Sequence, residues 1–179
     1  MKVPALLRPL HGSTTTPGEL LLVYLTGIAF ASLVLISIQD RLSELAPLQV
    51  AILLFVSIDL GGGAVANLCQ GTRSYWRSRT IRLRLFFLSV HAIHAIGISY
   101  VFPEVAASAA LAYLWMLATG SILMFTGNTS VPLALSLALV GAAAVQLLQG
   151  LGAAPSLLLT AFLVKLVFSF SGGPRKLHE

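Results

Sequence analysis

Charged residues in this chain are gathered into short stretches, and between them lie six apolar runs of the length that crosses a bilayer. A helix needs about 20 mostly apolar residues to span a hydrocarbon core of roughly 30 Å. The runs cover approximately 20–38, 47–69, 85–102, 105–125, 131–148 and 155–170. Their ends are chemically marked. The Ser/Thr/Pro/Gly segment from His11 to Gly18 leads into the first, and Asp40 and Arg41 close it. Pro103 and Glu104 close the third, and Gly127, Asn128, Thr129 and Ser130 predict a tight polar turn before the fifth. Only 9% of the 179 residues are charged and 57% are hydrophobic, whereas a soluble domain carries roughly 25% charged residues. The expectation is one all-α domain, a polytopic integral membrane bundle of six transmembrane helices. A cytosolic enzyme, a disordered tail and a disulfide scaffold are excluded, the last because Cys69 has no second cysteine to pair with. Lys2 and Arg8 precede the first run, but that run is too long and starts too late for a cleaved secretory signal.

The basic residues set an orientation. With six alternating spans, Lys2, Arg8, Arg73, Arg77, Arg79, Arg82, Arg84, Arg175 and Lys176 fall on one side, and only Arg41 falls on the other. Lys and Arg in short loops are retained in the cytoplasm, so both termini are expected inside, in a bacterial inner (cytoplasmic) membrane. The arginine segment is expected to meet anionic lipid headgroups, with Tyr75 and Trp76 in the interfacial aromatic belt, rather than nucleic acid.

The informative residues are those that hydrocarbon should exclude. Asp59 lies near the middle of the second run, and an ionisable group there is a functional-site hypothesis by default. Asp59, Gly63 and Asn67 recur at helical spacing on one face. Gly61, Gly62 and Gly63 each weaken a helix by about 1 kcal/mol relative to Ala. Their use is either close helix packing, together with Ala66, or a helix broken beside Asp59 to expose backbone groups. The third run crosses the opposite way and carries His91 and His94 on one face, at a depth similar to Asp59. A carboxylate facing imidazole satisfies both groups in low dielectric. Lys165 lies nearer the cytoplasmic end of the sixth run, which predicts an ammonium that snorkels to the interface rather than pairing with Asp59.

Three function classes fit these residues. The first is a small proton-coupled transporter or channel-like protein with Asp59, Asn67, His91 and His94 lining a mid-membrane site. The second is an intramembrane enzyme acting on a lipid or isoprenoid substrate, with a metal on Asp59, His91 and His94 and a phosphate headgroup on the arginines. The third is a non-catalytic subunit whose glycine face docks a partner helix, in a homo-oligomer or on another membrane protein. The structural alternative is an Asp–His pair that only fixes helix register. No further ligand or nucleophile accompanies the cluster, which favours the first class, and no cofactor follows from the sequence. Asp59 to Gly71 and Ala138 to Gly150 also match at Leu, Gly, Ala, Leu, Gln and Gly, in spans that cross in opposite senses, as an inverted repeat would.

Overall fold

The computed structural model of the chain describes residues 1–125 and 131–169. The expected turn at Gly127–Ser130 and the basic pair Arg175 and Lys176 lie outside the described residues. Within them the chain is helical: α1 (Arg8–His11), α2 (Pro17–Ser37), α3 (Pro47–Ala66), α4 (Gln70–Arg77), α5 (Ile81–Val90), α6 (Ala92–Val101), α7 (Ala106–Phe125), α8 (Val131–Gln149) and α9 (Ala153–Ser169). The starts follow from capping chemistry. Thr16 Oγ1 accepts the Glu19 N–H at 3.1 Å while the Glu19 carboxylate accepts the Thr16 N–H at 2.8 Å, and Pro17 opens the helix. Gln49 does the second half of that work for α3 by accepting the Ala46 N–H at 2.9 Å.

Four segments are long and apolar enough to cross a membrane: Pro17–Ser37, Pro47–Ala66, Ile81–Val101 and Pro103–Phe125. The fifth and sixth expected spans form helices too, but their apolar stretches, Pro132–Leu148 and Ala153–Phe168, are shorter. The third span is two helices, α5 and α6, joined by a turn at His91. Arg82 and Arg84 therefore belong to a helix rather than to a loop.

The glycine run does not break α3, which continues through to Ala66. Gly61 and Gly62 form a packing surface against α2, while Gly63 faces α9. A Cβ added at Gly62 would lie 2.9 Å from the Val23 carbonyl oxygen, and one at Gly27 would lie 2.8 Å from that of Ile58. Backbone thus meets backbone, the small-residue contact that lets membrane helices approach closely. Gly62 and Ala66 are buried inside the bundle instead of facing a partner through the lipid.

The core centres on α9, which packs against α3, α7 and α8. Leu158, Leu159, Phe162, Leu163, Leu166 and Val167 are all buried. A helix apolar all round belongs in such a position. The sequence match between the second and fifth spans is not carried into packing. The helix α3 lies chiefly on α2, before it in the chain, whereas α8 lies chiefly on α9, after it.

The N-terminal segment folds back onto the chain between the second and third spans. Trp76 Nε1 donates to the Pro9 carbonyl at 3.0 Å, Thr72 Oγ1 donates to that of Leu10 at 3.3 Å, and the Trp76 ring lies 4.0 Å from Phe87. Trp76 is buried, so it holds protein to protein rather than sitting in an aromatic belt. Gly12, with φ at 75°, lies so close to the Gly71 backbone that a side chain would collide.

Candidate functional site

The site forms where α3, α6 and α9 meet. Asp59 stands seven residues before the end of α3, about 10 Å of helical rise. Its Oδ2 accepts a hydrogen bond from His94 Nε2 at 2.5 Å and pairs with the Lys165 ammonium. The snorkelling expected of Lys165 is therefore wrong. The residue is only 5% exposed, on the buried face of α9, and has no route to an interface. Gly63 is the reason its ammonium turns to Asp59 instead. A Cβ at Gly63 would collide with Lys165 Cε and lie 2.8 Å from Nζ, so the missing side chain is the slot through which the lysine stem passes. One turn further, Asn67 Nδ2 donates to the Lys165 backbone carbonyl at 3.0 Å and fixes the level of α9. Asp59, Gly63 and Asn67 thus share one face, and each of the three meets Lys165 of α9.

His94 and His91 differ in their bonding. His94 uses Nε2 on Asp59, and its buried Nδ1 has no hydrogen-bond partner among the described residues. His91 sits at the turn between α5 and α6, where Nδ1 donates to the Phe87 carbonyl at 2.7 Å. That bond leaves Nε2 of a neutral His91 as an acceptor. The rings stack with centroids 5.0 Å apart and planes inclined by 11°. The structure brings together Asp59, His94, Lys165 and Asn67, with His91 one ring further out.

A cavity of about 190 Å³ reaches these groups. Its polar lining is Asp59, Asn67, His91, His94 and Lys165, and the rest is apolar, including Phe55, Phe87 and Ile93, with Pro9 and Leu10 of the N-terminal segment beside them. Phe55 is 63% exposed and Ile93 is 57% exposed, so the cavity opens sideways between α3 and α6. Within the ion cluster exposure is uneven. The Asp59 side chain is 23% exposed, against 6% for Lys165 and 6% for His94.

Asp59, His91 and His94 each offer one ligand atom, all within 4.8 Å of one another, a set that suits a transition-metal ion. The ammonium of Lys165 already sits on the carboxylate oxygen, however, so any cation bound there has to compete with it.

Of the five arginines expected at lipid headgroups, Arg84 is 2% exposed and takes no part in an open basic surface. It lies one turn into α5 on its inward face, beside buried Leu88. Arg82 is exposed and Arg73, Arg77 and Arg79 are half-buried, with the Arg79 guanidinium 4.1 Å from the centre of the Tyr75 ring. None of the five lines the cavity at Asp59 among the described residues. The sequence reading missed Gly63 as the seat of Lys165 and the N-terminal segment as a wall of the cavity. The first was findable, since a glycine one turn from a buried carboxylate leaves room for a long cation. The second carries no periodic signal.

Comparison with protein-family models, with curated proteins and with solved structures returns no match.

Proposed function

We propose that this chain is a six-span protein of a bacterial inner membrane, with both termini cytoplasmic, and that its Asp59 cluster is the proton-exchanging site of a small coupled transporter. The observation that carries this reading is a carboxylate held between an imidazole and an ammonium, lining a cavity that opens sideways between α3 and α6. Membrane-embedded carboxylates paired in this way mark proton relays and substrate paths. Protonation of Asp59 removes the negative charge that holds Lys165 and His94 together, and a substrate cation competes with Lys165 for the same oxygen. Proton and substrate then exclude one another, which is the elementary requirement for coupling. Docking of the N-terminal segment on α4 supports an even number of crossings between them, and the arginine excess there supports the cytoplasmic side.

An enzyme working on a lipid headgroup is disfavoured by the absence of Arg73 to Arg84 from the cavity lining. A subunit that docks a partner through Gly62 and Ala66 is disfavoured by their burial.

Dicyclohexylcarbodiimide tests the proposal, because it reacts from the apolar phase with carboxyl groups that take up a proton. In lipid nanodiscs the wild-type protein is expected to be labelled at Asp59, faster as the pH falls, with Lys165→Met labelled faster still. A protein that stays unlabelled at Asp59 at every pH would refute a proton-exchanging carboxylate.

A further inference from the structure

The cavity at Asp59 is the end of a longer groove. Along the lipid-facing seam of α3 and α6 runs a second, almost wholly apolar cavity of about 420 Å³. It shares Phe55, Ile93 and His94 with the cavity at Asp59, and continues through Ile52 and Ile96 to Leu48 and Tyr100. A third, of about 230 Å³, joins at Asp59 and Phe55 beneath Leu10 and His11. From Leu48 to Asp59 the helical rise is about 16 Å, comparable with an extended dodecyl chain. Gly97 brings the helices together at the bottom of the seam, where a Cβ would lie 3.2 Å from Ile52 and 3.3 Å from Val56. The result is a trough for one chain rather than two.

The polar end states which head such a chain carries. Lys165 and His94 are covered and both donate to Asp59, whereas the carboxylate is the member with the most accessible surface. Both of these contacts use Oδ2, and a carboxylate offers acceptor sites on both oxygens. A head placed there meets a carboxylate acceptor for which it competes with Lys165, and the aromatic Phe55 lines the same cavity. An anionic head would meet the more exposed carboxylate rather than the covered ammonium. A bilayer phospholipid also fits badly. Its ammonium lies outside its phosphate at the membrane surface, so reaching Asp59 would draw the phosphate into hydrocarbon.

We infer that the substrate of this site is a single-chain lipophilic amine that moves in sideways from the bilayer, lays its chain along the α3–α6 seam and sets its ammonium on Asp59. This rests on the transport reading in that the substrate occupies the exchanging carboxylate, and it deepens that reading by naming the substrate class. The apolar lining is what a lipophilic body needs and what a hydrated ion could not use.

The test is photo-crosslinking in phosphatidylcholine nanodiscs with diazirine-bearing dodecylamine, beside the matching dodecanol and dodecanoate. The amine is expected to mark the segments around Phe55 and Ile96 at least tenfold more than the other two. Free dodecylamine should displace it and slow carbodiimide labelling of Asp59. Ile96→Trp fills the seam at an exposed position that does not line the cavity at Asp59, and should abolish crosslinking while leaving carbodiimide labelling intact. Asp59→Asn combined with Lys165→Met removes both charges together and should erase the preference for the amine. Equal marking by all three probes, or displacement by phosphatidylethanolamine, would overturn the inference. If Asp59 reacts with the carbodiimide and dodecylamine gives no protection, the substrate class is wrong and the transport reading stands. If Asp59 never reacts but the amine still crosslinks, the proton-exchange reading fails and the groove stands.

Discussion

Asp59 and Lys165 depend on each other, and their separation should be costly in one direction only. Removing one member of a buried ion pair leaves a bare charge and costs about 3–5 kcal/mol, while replacing both by apolar or neutral groups is often close to neutral. Lys165→Met is therefore expected to lower the thermal midpoint of the detergent-solubilised protein sharply. Adding Asp59→Asn to it should restore most of the loss. A double variant destabilised by the sum of Lys165→Met and Asp59→Asn alone would show that the pair contributes no coupling. Asp59 and the two histidines could be found from the sequence because depth along a helix follows from residue counting. The partner of Lys165 could not, because depth says nothing of which way a side chain points around the axis. A helix as evenly apolar as α9 carries no stripe to tell its inner face from its outer one. Trp76 was misplaced for a related reason. An aromatic near a membrane surface fits a belt or a buried contact equally well until the Pro9 carbonyl is seen beside it.

At the scale of elements, α2 and α3 are held together by what their glycines omit. Gly62→Val would press methyl groups into the Val23 carbonyl and part the two helices, an overpacking cost of about 1–3 kcal/mol. Gly18 lies in the first turn of α2 with nothing within 4 Å of an added Cβ, so Gly18→Ala should be neutral or stabilising by up to about 1 kcal/mol. Thermal unfolding of the two variants side by side checks the contrast, and a harmless Gly62→Val would remove the account of the glycine run. The N-terminal segment answers to pH instead. Burial of His11, whose Nε2 lies 3.1 Å from the Tyr24 hydroxyl, holds its pKa below the ordinary 6.5. The undocked chain then takes up the proton first. The docked state has its full stability above 6.5 and loses it progressively as the pH falls below that value. Amide protection across residues 1–15, taken relative to the intrinsic exchange rate at each pH, should fall on acidification below about pH 6.5. The same change in His11→Gln should be much smaller, and an identical response in both proteins would rule His11 out as the cause. The helices themselves were legible because length and hydropathy are local properties. This docked segment was not, since its order comes from distant carbonyls rather than from its own pattern.

At the scale of the whole molecule the topology turns on whether α8 and α9 cross. Their apolar stretches are short, yet α9 is enclosed by α3, α7 and α8, so little of its length has to match lipid. A buried helix of 17 residues still rises about 26 Å, near the thickness of a thin hydrocarbon core. The location of the termini does not decide the matter, because four crossings followed by a re-entrant α8–α9 hairpin also return the chain to the starting side. The connection between α8 and α9 does. With six crossings it emerges on the outer face beside the Asp40 loop, whereas in a re-entrant hairpin it stays within the membrane. Gly152 lies in that connection with nothing within 4 Å of an added Cβ, so Gly152→Cys should be tolerated. In a Cys69→Ser background, a membrane-impermeant maleimide applied to intact cells should label Gly152→Cys as readily as Asp40→Cys. Ser78→Cys, in the arginine segment, should react only after permeabilisation. Labelling of Asp40→Cys without Gly152→Cys would reduce the count to four, and would turn α9, with Lys165, into the inner arm of a hairpin that presents its ammonium to Asp59 from one side of the membrane.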